Sequence, residues 1–223
     1  MEANCSKCPF KDKYCKNPDG KHPEFCSTLE YTEALKAANA EYDKEGTFEF
    51  AQAASYQERA GYDIGPFGIH PIKSRVEEIV EFSKRMGYHK LGLAYCMGLQ
   101  HEAMVFTRIL EAQGFEVVSV ICKVGGLDKS RLGLCDCDKL FPGAHETMCN
   151  PIGQAYVLNQ EKTDFNILLG LCVGHDSMFM KNSDAYCTVL VAKDRLMGHN
   201  PLGAIYTNDF YYKYLEYAEE DEK

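Results

Sequence analysis

No apolar run in this sequence approaches the roughly 20 residues that a membrane-crossing helix needs, so a membrane partner is not expected. The opening stretch MEANCSKCPFKDKYC lacks the apolar core of a secretory signal, which leads to the expectation of a cytoplasmic protein. Positive charge is scarce: 24 Lys and Arg stand against 33 Asp and Glu, a formal net charge of −9. That balance argues against nucleic acid as a partner. After its first apolar strand-like run the chain reads CMGLQHE, without a GxGxxG fingerprint, and no GxxxxGK[ST] occurs. A standard NAD or ATP site is therefore not expected. The ferredoxin run C-x2-C-x2-C is missing too, as are internal repeats and low-complexity segments.

Cysteine is what the chain has in abundance. Eleven thiols among 223 residues is an odd count, and with no secretion signal a disulfide framework is not expected. Metal binding or redox chemistry is the more usual reason for so many thiols in a reducing compartment. The first four follow the spacing Cys5-x2-Cys8-x6-Cys15-x10-Cys26, with His22 as a substitute ligand. Turn formers separate them, so they can close round a tetrahedral ion, and so short a segment has little apolar surface to order it otherwise. Lys7, Lys11, Lys13, Lys16 and Lys21 outnumber Asp12, Asp19 and Glu24 there and would partly offset the charge of four thiolates. Zinc is favoured over iron–sulfur at this knuckle.

Residues 28–60 read as two helices, the first capped by Ser27 or Thr28 and ended by Gly46, the second starting at Thr47 and closed by Gly61. YDIGPFGIHPIK reads as a loop and SRVEEIVEFSKRMG as a third helix. Strand and helix patterns then alternate: KLGLAYC, MGLQHEAMVFTRILEAQG, FEVVSVICK, IGQAYVLNQEK, FNILLGLCVG, HDSMFMKNSDA and YCTVLVAK. Asn150 and Pro151 form a cap–N1 pair, as do Asn200 and Pro201 ahead of a Tyr-rich terminal helix, NDFYYKYLEYAEE, whose acidic end reads as solvated. The fold class is α/β: a three-layer Rossmann-like or flavodoxin-like parallel sheet preceded by the knuckle and helices. Three divisions are expected: 1–27 as the four-cysteine knuckle, 28–88 as a helical segment packed on the core, and 89–223 as the α/β domain with a cysteine-lined site.

In a parallel sheet the strand C-termini share one edge, which is where ligands bind. Cys96, Cys122 and Cys172 end three successive strand patterns, and Cys149 precedes the helix that feeds the third. Four thiolates suit a [4Fe–4S] cluster or zinc. Cys149 and Cys172 read as the safest ligands and Cys122 as the likeliest odd one out. His175, Asp176, Lys193 and Arg195 fall on the same edge, with Asp194, His199 and His101 near it. They can bind an anionic substrate or serve as acid and base, while capping is the alternative for Asp176 and Asp194. Residues 124–148 form a long loop in which Cys135 and Cys137 are a close pair, suggestive of a metal-trafficking or redox dithiol. Cys187 reads as a small core residue.

CNPIGQAYVLN, GLCVGHDSMF and VAKDRLMGHNPLGAIY, with AYCMGLQHEA and SVICKVGG, resemble an uncharacterised cysteine-rich family of anaerobic bacteria and archaea, a domain of unknown function described only as metal-binding. The resemblance implies metal binding and an anaerobic source, which favours iron–sulfur over zinc at the core site. Cys135, Cys137 and Cys187 lie outside the motifs that carry it. The functional expectation is a [4Fe–4S] cluster in the α/β domain and zinc in the knuckle, with redox or sulfur chemistry on a small anionic substrate. The alternative is a non-catalytic metal-binding or electron-transfer module that docks a redox partner protein.

Overall fold

Residues 2–26 carry too few apolar side chains for a core and fold as turns held by backbone hydrogen bonds. A 3-10 turn spans Cys5–Lys7, and a bridge joins Lys13 to Lys21, with Tyr14 N–H donating to the Lys21 carbonyl at 2.9 Å. Gly20 permits that approach: a Cβ there would lie 2.6 Å from the Lys13 carbonyl carbon. Helices α1 (Ser27–Glu30), α2 (Thr32–Glu41) and α3 (Thr47–Ala60) follow. One expected cap is corrected: Ser27 and Thr28 lie inside α1, capped by Cys26. Helix α3 starts at Thr47 as expected, with Gly46, at φ 81°, as its cap and its N–H donating to the Glu49 carboxylate at 2.7 Å. The single helix expected before it is broken at Tyr31.

The segment expected as a loop, residues 62–73, contains a hairpin of β1 (Tyr62–Gly65) and β2 (Gly68–Pro71). Pro66 sits in the turn and Pro71 at the strand end, positions where proline's missing N–H disrupts no ladder. Residues 2–217 are described in this computed structural model, which divides into two units, Met1–Ile69 and His70–Lys223.

Helix α4 (Arg75–Arg85) opens the second unit with a capping box between Ser74 and Glu77. It is followed by β3 (Lys90–Tyr95), α5 (Gln100–Ala112), β4 (Glu116–Ile121), α6 (Pro151–Gln160), β5 (Phe165–Leu169), α7 (His175–Asn182), β6 (Cys187–Val191) and α8 (Leu202–Tyr206). The four strands β3 to β6 form one parallel sheet in the order β4-β3-β5-β6. The chain thus runs outward from β3 to β4 and then returns to the other side of β3, which makes the gap between β3 and β5 a topological switch point.

Side-chain alternation divides the sheet into two faces. Phe165 packs against Phe82 of α4 at 5.6 Å. On the opposite face Ala94, Val120 and Leu168 join Ala155 and Leu158 of α6 and Phe179 of α7 in one cluster. Helices therefore cover both faces, and the apolar runs are continuous because neither face meets water. Cys187 packs against this cluster as a half-buried residue, as expected of a small core side chain.

The C-terminal readings need two corrections. Pro201, rather than Asn200, is the cap of α8, a short helix of five residues. The Tyr-rich helix is instead a run of turns ending in a 3-10 segment at Lys213–Glu216, with exposed Phe210, Tyr211 and Tyr214 and no buried residue to anchor a longer helix. Residues 218–223, the end of the acidic tail, lie outside the described residues. No helix among the described residues is long and apolar enough to cross a membrane.

Candidate metal centres

The backbone sets each core cysteine on the switch-point edge. Cys96 follows β3, and its N–H continues the ladder to the Leu169 carbonyl of β5 at 3.1 Å. Cys122 follows β4, its N–H bonded to the Tyr95 carbonyl at 2.9 Å. Cys149 precedes the Asn150 cap of α6, whose side-chain oxygen accepts from Gly153 N–H at 2.9 Å. Asn150 N–H donates to the Cys122 carbonyl at 2.7 Å, fixing the start of α6 to the end of β4. Cys172 lies three residues past the end of β5 rather than within it, because Gly170 adopts φ 64° and turns the chain out of the sheet. Its carbonyl then accepts the first N–H groups of α7, His175 at 3.0 Å and Asp176 at 3.1 Å.

Cys96, Cys122, Cys149 and Cys172 line one cavity, shared with His175 and Gln154, whose free space is about 10 Å³. Cys122 is the most enclosed, at 4% exposure. Its sulfur accepts Met97 N–H at 3.3 Å, and its thiol is hydrogen-bonded to the sulfurs of both Cys96 and Cys149. The hydrogen bond from Cys122 pulls Cys96 down to about 4, against the cost of burial and with help from Gly98 N–H and the Lys193 ammonium. The same donor, aided by the charge of Lys123 and by His175, pulls Cys149 down to about 5. Cys122 is correspondingly pushed up, because its proton holds two neighbouring sulfur charges together and its site is desolvated. At the rim, Arg195 Nη2 donates to Cys172 Sγ at 3.1 Å, which pushes the guanidinium up.

Of the polar residues expected on this edge, His175 lines the cavity, while Lys193 and Arg195 reach the sulfurs of Cys96 and Cys172. Asp176 lies inside the first turn of α7, whose cap is Gly174, and accepts from Ser177 N–H at 2.7 Å, while Asp194 accepts from the N–H groups of Leu196 and Met197 at 3.1 and 2.8 Å, as capping residues do. His101 and His199 line a separate, larger cavity with Leu99, Phe106 and Leu169. Gln154 is a site residue that sequence reasoning missed. Fully buried on α6, it donates to the carbonyls of Val120 at 2.7 Å and Tyr95 at 3.2 Å and so joins the ends of β4 and β3. Its Oε1 has no hydrogen-bond partner. A polar residue on the inward stripe of an otherwise apolar helix was the available signal.

The donor chemistry fits a thiophilic metal group. Four sulfurs from separate elements line the cavity, although no three of them lie within 4.8 Å of one another, and Lys123, Lys193 and Arg195 offset the negative charge such a centre carries. Leaving a buried amide oxygen without a donor costs about 1–3 kcal/mol, so Gln154 Oε1 favours a guest beside the sulfurs that presents an N–H or O–H.

In the first unit Cys5, Cys8, Cys15 and Cys26 line a second cavity, of about 60 Å³, together with Lys13, Lys21 and Tyr14. Cys5 Sγ lies 3.0 Å from Ser27 Oγ. His22 packs edge-on against Tyr14, at 5.8 Å, and is not among the lining residues.

The long loop after β4 is built rather than slack. Asp128 accepts from the N–H groups of Ser130 at 2.9 Å and Glu146 at 3.0 Å, while nearly buried Glu146 accepts from Leu140 N–H at 2.7 Å and pairs with Lys129. The Ser130 hydrogen bonds, chiefly, pull the Asp128 carboxyl from 3.8 to about 2. A depressed carboxyl stabilises the folded loop above its unfolded value, and that contribution is lost as pH falls through the folded one. Protection of the Ser130 and Glu146 amides from hydrogen exchange is therefore expected to fall between pH 3.8 and about 2. Protection that persists unchanged below pH 2, or that disappears above pH 5, would contradict this account of the loop.

Residues 26–190 match a family described as a protein of unknown function (DUF1847). An uncharacterized protein of Methanocaldococcus jannaschii is 46% identical over 176 residues, covering 79% of this chain and 85% of the relative. The family match includes Cys26, the four core cysteines and the Cys135–Cys137 pair, and leaves out Cys5, Cys8, Cys15, Lys193 and Arg195. With three-quarters of its length matched, the chain belongs to the DUF1847 family.

Proposed function

We propose that the protein carries two metal centres: an iron–sulfur cluster, [4Fe–4S], at Cys96, Cys122, Cys149 and Cys172, and zinc at Cys5, Cys8, Cys15 and Cys26. The observation that carries the core reading is that four sulfurs from four places in the fold line one cavity, with Lys193 and Arg195 reaching two of them. The bound centre would supply electron transfer or Lewis acidity. The chain's own residues do the rest. Lys123 and Lys193 set positive charge beside the sulfurs, His175 closes one wall, and Gln154 ties the ends of β3 and β4 together behind them. Cys172 and Arg195 form the open corner, where a small anionic substrate would displace the guanidinium from the sulfur. Redox or sulfur chemistry on such a substrate is the activity this arrangement supports.

A second reading has its own support. Four thiolates also suit a single zinc ion, which carries no electrons, and that favours a non-catalytic metal-binding role for the protein. Anaerobic purification followed by a visible spectrum and metal analysis separates the two. Broad brown absorbance with about four irons per chain supports the cluster; a colourless protein holding zinc alone sinks it.

The knuckle is tested separately. Its four cysteines all precede α1, so Cys5→Ser with Cys8→Ser is expected to release one metal equivalent while the circular dichroism of the α/β unit persists. Global unfolding of that variant would make the site integral to the fold.

A further inference from the structure

Outside both centres, the loop between β4 and α6 holds a disulfide between Cys135 and Cys137. The sequence suggests a metal-trafficking or redox dithiol here; nine cysteines are free and these two are bonded, the oxidised form of such a pair. Asp138, the next residue but one to the bridge's midpoint, completes a group of three exposed potential ligands whose donor atoms all lie within 4.8 Å of one another. Among the described residues it is the group that meets this closeness.

The surroundings keep the group in place and presented to solvent. Asp138 Oδ2 accepts Cys135 N–H at 2.9 Å, which leaves its other oxygen for a cation. Asp136 accepts Gly143 N–H at 2.5 Å and pairs with Lys139 at 3.3 Å. Lys139 also reaches the Ala144 carbonyl at 3.1 Å and Asp128 at 3.8 Å. The same two sulfurs can make one S–S bond or serve as two thiolate ligands, but not both at once.

We propose that Cys135, Cys137 and Asp138 form a third metal site, for a thiophilic divalent cation of the zinc type, that exists only while the Cys135–Cys137 bond is reduced. Opening needs a dithiol reductant. Its first thiolate attacks one sulfur of the bond, making a mixed disulfide and releasing the other as a thiolate. Its second thiol then displaces that cysteine and leaves with the new S–S bond. The reductant has lost two electrons and two protons, and the protein has gained two thiols. The cation displaces both thiol protons and takes two sulfurs and one carboxylate oxygen, with water completing a tetrahedron. Oxidation reverses the exchange and ejects the ion, so the loop couples thiol redox state to metal release. This site does not depend on the assignments at the other two centres.

The test uses the full chain, metal-free and under argon, in two forms: as oxidised, and after reduction by a water-soluble phosphine. The phosphine takes oxygen from water to become the phosphine oxide as the disulfide becomes two thiols. Thiol titration in denaturant is expected to rise from nine to eleven. Zinc titration against a chromophoric chelator is expected to find one more ion per chain in the reduced form. Cys135→Ser with Cys137→Ser should bind the same number of zinc ions in both forms. Asp138→Asn keeps the acceptor for Cys135 N–H and should still gain two thiols, but should weaken the extra zinc by roughly tenfold or more. Equal zinc stoichiometry in oxidised and reduced wild type would overturn the proposal. So would an extra ion that survives in the double serine variant, or eleven titratable thiols before reduction.

Discussion

Cys122→Ser is expected to strip the core centre of its metal, and to do so more completely than any other single cysteine substitution. Cys122 is the buried member of the group and its sulfur touches both neighbours, so losing it removes the middle of the donor set. Serine's oxygen is a harder donor than a thiolate and its shorter bond leaves it further from a shared metal. Cys96→Ser and Cys149→Ser should come next, and Cys172→Ser should cost least, since Arg195 already holds that sulfur at 3.1 Å. This order departs from the sequence-based expectation, in which Cys122 was the doubtful ligand. Metal content and the visible spectrum of each variant supply the ranking. Cys187→Ala is the control and should keep the full signal, losing only about 1 kcal/mol of stability. Full core metal in both Cys122→Ser and Cys149→Ser would refute the assignment, as would metal loss in Cys187→Ala.

The second large effect concerns stability. Gly92→Ala is expected to cost about 3–5 kcal/mol, which lowers the melting temperature of a chain this size by about 10 °C. Gly92 lies in the middle of β3, paired with Val118 of β4 on one side and Asn166 of β5 on the other. An added Cβ would collide with Asn166 Oδ1 and lie 2.9 Å from Leu158 Cδ1 of α6. Asn166 cannot give way. It is fully buried, its Oδ1 accepts from Thr163 Oγ1 at 2.7 Å and its Nδ2 donates to Ser183 Oγ at 2.8 Å. Moving it would break a polar network with no water to replace it. A double-mutant cycle checks the cause: Gly92→Ala should be much less costly in an Asn166→Ala background. Strictly additive losses would show that the clash is not the source.

The regular elements were legible because they follow from local chemistry. β-Branched and aliphatic runs of strand length, separated by helical periodicity, gave β3, β4, β6 and α4 to α7 close to their observed limits, while β5 stops at Leu169, short of the expected end past Cys172. The Asn150–Pro151 start of α6 was readable for the same reason, since a cap and an N1 proline act within one turn. Features that depend on a competing turn or on missing contacts were not. Pro66 and Pro71 looked like breakers, yet they occupy the turn and strand end of a hairpin, where a missing N–H breaks no ladder bond. The Tyr-rich terminus had helical spacing but buries nothing, so no packing sustains a long helix there.

By itself the sequence determined that cysteines would stand at the ends of parallel strands, because residue order and strand polarity place them there whatever the order of the strands. Tertiary structure decided which sulfurs meet. The order β4-β3-β5-β6 sets β3 between β4 and β5, and so brings Cys122 beside Cys96 and Cys149 while Cys172 is carried out to the rim by Gly170. That order is settled by packing over the whole sheet, with Gly92 opposite Asn166 as one of its fitted contacts. The roles of Gln154 and Arg195 have the same origin. Each acts on atoms tens of residues away in sequence, and only the closed fold, where an unpaired buried polar group is costly, fixes its partners.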